Sequence, residues 1–140
     1  MSFRKFESGR NLIVRVKHDS DIINFLTDVA KENKITAATF TAIGALKKAK
    51  LGFYDQKKHE YLEDILQAPQ EIASCVGNIS SREDKAFVHA HAVLADREGN
   101  IKAGHLLEGK VFAAEVHLTE LKGEIVRKYD AVTGLSLWHI

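Results

Sequence analysis

The sequence has one cysteine, Cys75, one proline, Pro69, and one tryptophan, Trp138. A lone cysteine cannot form an intrachain disulfide, so packing must hold the fold, and a reducing, cytoplasmic setting is expected. With one proline and no glycine- and serine-rich run, nothing marks an interdomain linker. Internal repeats and low-complexity tracts are also missing. No stretch reaches the roughly 18 apolar residues that span a bilayer. The start, Met1-Ser2-Phe3-Arg4-Lys5-Phe6-Glu7, has no apolar segment of signal-peptide length. A membrane role is therefore not expected.

Neither sign of charge is in excess: 20 Lys and Arg stand against 19 Asp and Glu, a formal net charge of +1. A protein that coats nucleic acid by bulk electrostatics needs a basic stripe. Here the basic clusters are Lys47, Lys48 and Lys50, then Lys57 and Lys58, and acidic Glu60, Glu63 and Asp64 follow closely. That pattern reads as a solvated face of mixed charge in preference to a phosphate-binding patch. A phosphate-binding glycine loop, a nucleophile elbow and a dinucleotide fingerprint are all lacking.

What remains is a globular chain of 140 residues, 45% of them hydrophobic. That suits a single domain over residues 1–140, long enough to bury roughly two-thirds of its unfolded surface. Asn11 to Lys17 is β-prone. Asp19, Ser20 and Asp21 then offer N-cap oxygens, and Ile22, Ile23, Phe25, Leu26, Val29 and Ala30 recur at helical spacing, with Asn33 as the stop. From Thr36 the pattern becomes short β-prone runs: Thr36 to Ile43 stopped by Gly44, Ala49 to Tyr54, Glu60 to Leu66, Glu71 to Ser80, Lys85 to Ala95, Ile101 to Leu107, Val111 to Leu121 and Glu124 to Tyr129. This spacing predicts hairpins and meanders and not βαβ crossovers. The expected fold is α/β of the α+β kind, a largely antiparallel or mixed sheet packed with one main helix. The apolar tail with Leu135, Leu137, Trp138 and Ile140 is expected to add a last strand or dock on a partner.

The chemistry concentrates in Ala86-Phe87-Val88-His89-Ala90-His91-Ala92-Val93-Leu94-Ala95. Period-two alternation puts His89 and His91 on one face and Val88, Ala90, Ala92 and Leu94 on the other. If Asp96 to Asn100 form a five-residue loop, Ala95 pairs with Ile101 and His91 falls opposite His105. Cross-strand Cβ atoms ~4.5–5.5 Å apart let two imidazoles converge on one ion, with His89 as the third ligand. A four-residue loop would instead turn His105 to the other face. The alternative to a metal site is three ordinary polar histidines with satisfied hydrogen bonds. Imidazoles suit zinc or another divalent transition metal, and three protein nitrogens leave a position for water or ligand. Glu115, which alternates with His117, is either a further contributor to this site or half of an exposed pair. Cys75 reads as a small buried side chain in preference to a nucleophile. Gly77-Asn78-Ile79-Ser80 is a strand end or a source of hydrogen bonds to a ligand.

Four stretches carry a family resemblance: Ile43-Gly44-Ala45-Leu46 with Ala49-Lys50-Leu51, Gly77-Asn78-Ile79-Ser80, Val88-His89-Ala90-His91-Ala92-Val93-Leu94, and Gly104-His105-Leu106-Leu107-Glu108-Gly109. In their order and spacing the chain resembles the PPC domain, named for plants and prokaryotes. The resemblance implies a single-domain fold that forms a homotrimer, with a metal held by the histidines matching His89, His91 and His105. Asn78, Ser80 and Glu115 are the candidates for a supporting shell. It also implies a DNA-associated regulatory role, because plant members join the domain to an Arg-Gly-Arg-Pro-type minor-groove binder. This chain contains no such segment. Two functions follow as expectations. One is a trimeric binding module with DNA or protein partners. The other is a metal-dependent enzyme acting on a small molecule through a zinc-bound water.

Overall fold

The protein is described over residues 2–140 by a computed structural model. The elements run β1 (Ser8–Val16), α1 (Ile22–Glu32), β2 (Ala38–Asp55), β3 (Glu60–Leu66), β4 (Gln70–Arg82), β5 (Lys85–Ala95), β6 (Ile101–Leu121), β7 (Arg127–Asp130) and β8 (Leu135–Trp138). Six strands form one sheet in the order β1-β6-β5-β4-β2-β3. Because β6 also pairs with β2, the strands β2, β4, β5 and β6 close a hydrogen-bonded ring. Every strand pair in it is antiparallel, so the expected α+β fold with one helix holds and a mixed sheet does not.

The helix forms where capping and periodicity agree. Asp21 is its N-cap, with Oδ1 accepting from the Asn24 N–H at 2.9 Å, and Asn33 is its C-cap. The other carboxylate oxygen, Oδ2, accepts from the Gly109 N–H at 2.7 Å, which ties the helix start to β6. Ile22, Leu26 and Ala30 are fully buried from this helix. They join a core that includes Phe40, Leu46, Ile79, Leu94, Leu106, Val116 and Leu118. On β5 the buried residues are Val88, Ala90, Ala92 and Leu94, the face that alternation selects.

Two sequence expectations are corrected. The runs Thr36 to Ile43 and Ala49 to Tyr54 are one strand, β2, of 18 residues. Gly44 bends this strand and does not stop it. The residue sits at φ +134° beside a register shift, and an added Cβ would meet the Ala113 carbonyl oxygen. Likewise Ile101 to Leu107 and Val111 to Leu121 belong to one strand, β6, of 21 residues. Strand β6 continues through Glu108-Gly109 because β2 supplies a ladder partner there, Lys50 opposite Glu108 and Ala49 opposite Gly109. The tail adds a strand: β8 pairs with β7 in a separate hairpin, Arg127 opposite Trp138. No helix among the described residues is long and apolar enough to cross a membrane.

Candidate metal centre

The β5–β6 hairpin sets the centre. Asp96 Oδ1 accepts from the Asn100 N–H at 2.8 Å, Gly99 takes φ +85°, and Ala95 pairs with Ile101. The five-residue loop thereby puts His91 directly opposite His105, as the sequence register requires. His89 lies on the same face of β5. One ring nitrogen from each of His89, His91 and His105 falls within 4.8 Å of the other two. The ring centroids are 5.2 Å apart for His89 and His91, 4.9 Å for His89 and His105, and 5.5 Å for His91 and His105.

The donor set fits a transition-metal ion on two grounds. First, His105 Nδ1 is buried and has no hydrogen-bond partner. A buried polar atom without a partner costs about 1–3 kcal/mol, and an ion would satisfy it. Second, His89 and His105 are held toward the neutral form, the form that binds metal. Burial pushes the His89 pKa down to about 4, with His105, Arg127 and His91 adding repulsion. Burial also lowers that of His105, followed by the effects of His91 and Arg127.

Asn78 and Ser80 lie beside the centre and reach it through a residue the sequence reading missed. Arg127, at the start of β7, donates from Nε to Ser80 Oγ at 2.8 Å and from Nη2 to Asn78 Oδ1 at 2.9 Å. Its Nη1 donates to the Ser136 carbonyl at 2.9 Å. Nη2 also approaches His89 Nδ1 at 3.4 Å. A guanidinium can only donate, so Nδ1 accepts and the neutral His89 ring carries its proton on Nε2. An ion held through Nε2 would require the proton on Nδ1, and an ion held through Nδ1 would take the arginine's place, so in either case the Arg127–His89 contact would have to give way. Nothing in the one-dimensional pattern singles out Arg127, although the folded chain buries it.

Glu115 is not brought to the histidines. It pairs with Ile43 and Arg15 further along β6, is exposed, and lines a separate shallow pocket with Ile13, Thr41 and His117. The physical reason is the length of β6: the strand runs on past His105 to the opposite end of the sheet. Cys75 is buried, and burial alone pushes its thiol pKa up to about 11, so it is no nucleophile.

The histidines open into a cleft of ≈ 730 Å³ whose other walls include Tyr54, Gln56, His59 and Tyr61. The sequence model of the Plants and Prokaryotes Conserved (PCC) domain matches residues 3–122. The chain belongs to this family. Within it, the chain is similar to a metal-containing protein of Archaeoglobus fulgidus at 38% identity and a TM-score of 0.96, with 100% of each chain covered. It is similar to a plant- and prokaryote-conserved protein of Pyrococcus horikoshii at 38% identity and a TM-score of 0.95, covering 100% of this chain and 98% of that one. A protein of Bacteroides thetaiotaomicron, described as a candidate DNA-binding protein, is 25% identical with a TM-score of 0.87 and 96% of each chain covered. No curated protein matches the chain. In this PCC domain, Arg127 lies beyond the stretch that the family model matches.

Proposed function

We propose that this PCC-domain protein is a cytoplasmic, homotrimeric metalloprotein in which His89, His91 and His105 hold one divalent transition-metal ion, zinc foremost, facing a small-molecule cleft. The observation that carries the reading is the buried, partnerless Nδ1 of His105 within a cluster of three imidazoles. The metal content of the Archaeoglobus relative supports it. Three nitrogen ligands define an open site, and a bound ion supplies Lewis acidity at the remaining position. Asn78 and Ser80 act as positioning residues: they hold the Arg127 guanidinium, which in turn faces His89. The small-molecule cleft suits a metal-dependent enzyme as well as a ligand-sensing module, and turnover of a bound compound separates the two.

The test is metal analysis of protein incubated with zinc at neutral pH and then desalted. About one equivalent per chain is expected for the wild type, and loss of nearly all of it for His105→Ala with the fold retained by circular dichroism. A wild-type protein that stays metal-free overturns the proposal.

A DNA-associated role is the second reading, favoured by the description of the Bacteroides relative. On this chain several lysines already lie beside acids. Lys47 lies 2.8 Å from Asp19, Lys50 lies 2.9 Å from Glu108 and 3.5 Å from Glu63, and Lys102 lies 2.9 Å from Asp64. With a net charge of +1 and no basic stripe, duplex binding by this chain should be weak, with a shallow salt slope. Tight binding that falls steeply between low and physiological salt would establish the DNA reading instead.

A further inference from the structure

The cleft around the histidines is short of negative charge. Arg127 is a buried cation, 9% exposed. All of its hydrogen-bond partners are neutral: Ser80, Asn78, the Ser136 carbonyl and His89. A second guanidinium stands close by. Arg82 lies 4.2 Å from the Phe87 ring centroid and Arg127 lies 5.1 Å from the same centroid. No aspartate or glutamate lines the ≈ 730 Å³ cleft or the adjoining ≈ 380 Å³ cavity that Arg82 and Arg127 share. The two spaces adjoin, with Tyr61, His89, His105 and Leu135 lining both. Several other Lys and Arg side chains do find carboxylates, among them Arg10 with Glu120, Lys122 with Glu7 and Lys110 with Asp19.

A buried charge without a counter-ion is costly unless something of opposite sign completes it. A metal ion on the histidines adds positive charge to the same space. We propose that the site takes a small organic acid whose carboxylate sits at Arg82 and Arg127 and whose body extends toward the histidine centre. The proposal rests on the metal reading only for that far end; the arginine end is built from the chain itself. Arg127 spends most of its N–H groups on the protein and acts as a fixed positive charge. Exposed Arg82 has a free fork that matches a carboxylate in two parallel hydrogen bonds. An organic anion fits better than an inorganic one because the walls around the two guanidiniums include Phe87, Leu107, Leu135 and Leu137, which a hydrocarbon body would cover.

The experiment is calorimetric titration of the full chain, metal-free and zinc-loaded, with acetate, lactate and succinate. Sodium phosphate and sodium chloride at matched ionic strength serve as comparisons. Saturable binding of at least one carboxylate to the metal-free protein is expected, tighter than phosphate or chloride, with a Kd raised about tenfold or more by Arg82→Gln. Arg82 is exposed, so this variant should fold. Arg127→Lys keeps the buried charge and should weaken binding by a smaller factor. No saturable carboxylate binding in either metal state, binding unchanged in Arg82→Gln, or phosphate bound as tightly as every carboxylate would each overturn the proposal. Metal content is measured on the same samples. Zinc uptake without carboxylate binding sinks this inference and spares the metal centre; carboxylate binding without zinc uptake does the reverse.

Discussion

At the scale of single residues, the histidine geometry was legible because a hairpin converts spacing into contact. Given Ala95 opposite Ile101, the pairing of His91 with His105 follows from counting. Arg127 was not legible, because an arginine in a short strand near the chain end is ordinarily solvated, and its burial comes from β8 folding back over it. Trp138 contributes to that cover, with its ring 5.8 Å from the guanidinium. Another residue-scale feature bears on pH. Glu120 accepts from Arg10 Nε at 2.7 Å and Nη2 at 2.9 Å, and these hydrogen bonds hold its pKa down to about 2. The folded state therefore binds fewer protons than the unfolded chain between pH ~4.5 and ~2, and stability must fall as pH falls through that window. The pair is partly exposed, so its worth is a few tenths to about 1 kcal/mol. Urea titrations should show Glu120→Gln destabilised by that amount at pH 7, with the gap to wild type closing near pH 2.

At the scale of elements, the helix was legible because cap and periodicity agree over Asp21 to Asn33. The long strands were not, because glycine reads as punctuation. Gly44 and Gly109 look like stops in a one-dimensional pattern. In the ladder they are places where a neighbouring segment crowds the backbone: the Ala113 carbonyl leaves no room for a Cβ at Gly44, and the Ile22 and Leu46 side chains stand close at Gly109. Gly44→Ala would combine that collision with a φ of +134°. A cost of about 2–4 kcal/mol is expected, from strain plus displacement of β6, read as a lowered denaturation midpoint with an unchanged slope. A change under 0.5 kcal/mol would mean that the bend at Gly44 is not fixed by the β6 backbone.

At the scale of the whole molecule, the ring of strands β2, β4, β5 and β6 leaves β1 and β3 as edges, and the outer face carries apolar side chains. Ile13, His117, Thr41 and Val76 stand in one lateral row across β1, β6, β2 and β4. Ile13 is 80% exposed, Val76 54%, and Ile43 on β2 61%. A monomer gains nothing from such a face, and the family resemblance favours threefold association. Light scattering after size exclusion should give three times 15.6 kDa, and Val76→Glu should dissociate the assembly. A wild-type monomer at micromolar concentration would remove the trimer from the account and leave the histidine centre within one chain.

The central claim is the metal, and diffraction from zinc-loaded crystals on either side of the zinc absorption edge tests it most directly. The account predicts one anomalous peak per chain at about 2.0–2.1 Å from a ring nitrogen of each of His89, His91 and His105. An absent peak, or an ion bound elsewhere while those three imidazoles keep hydrogen bonds of their own, would contradict it.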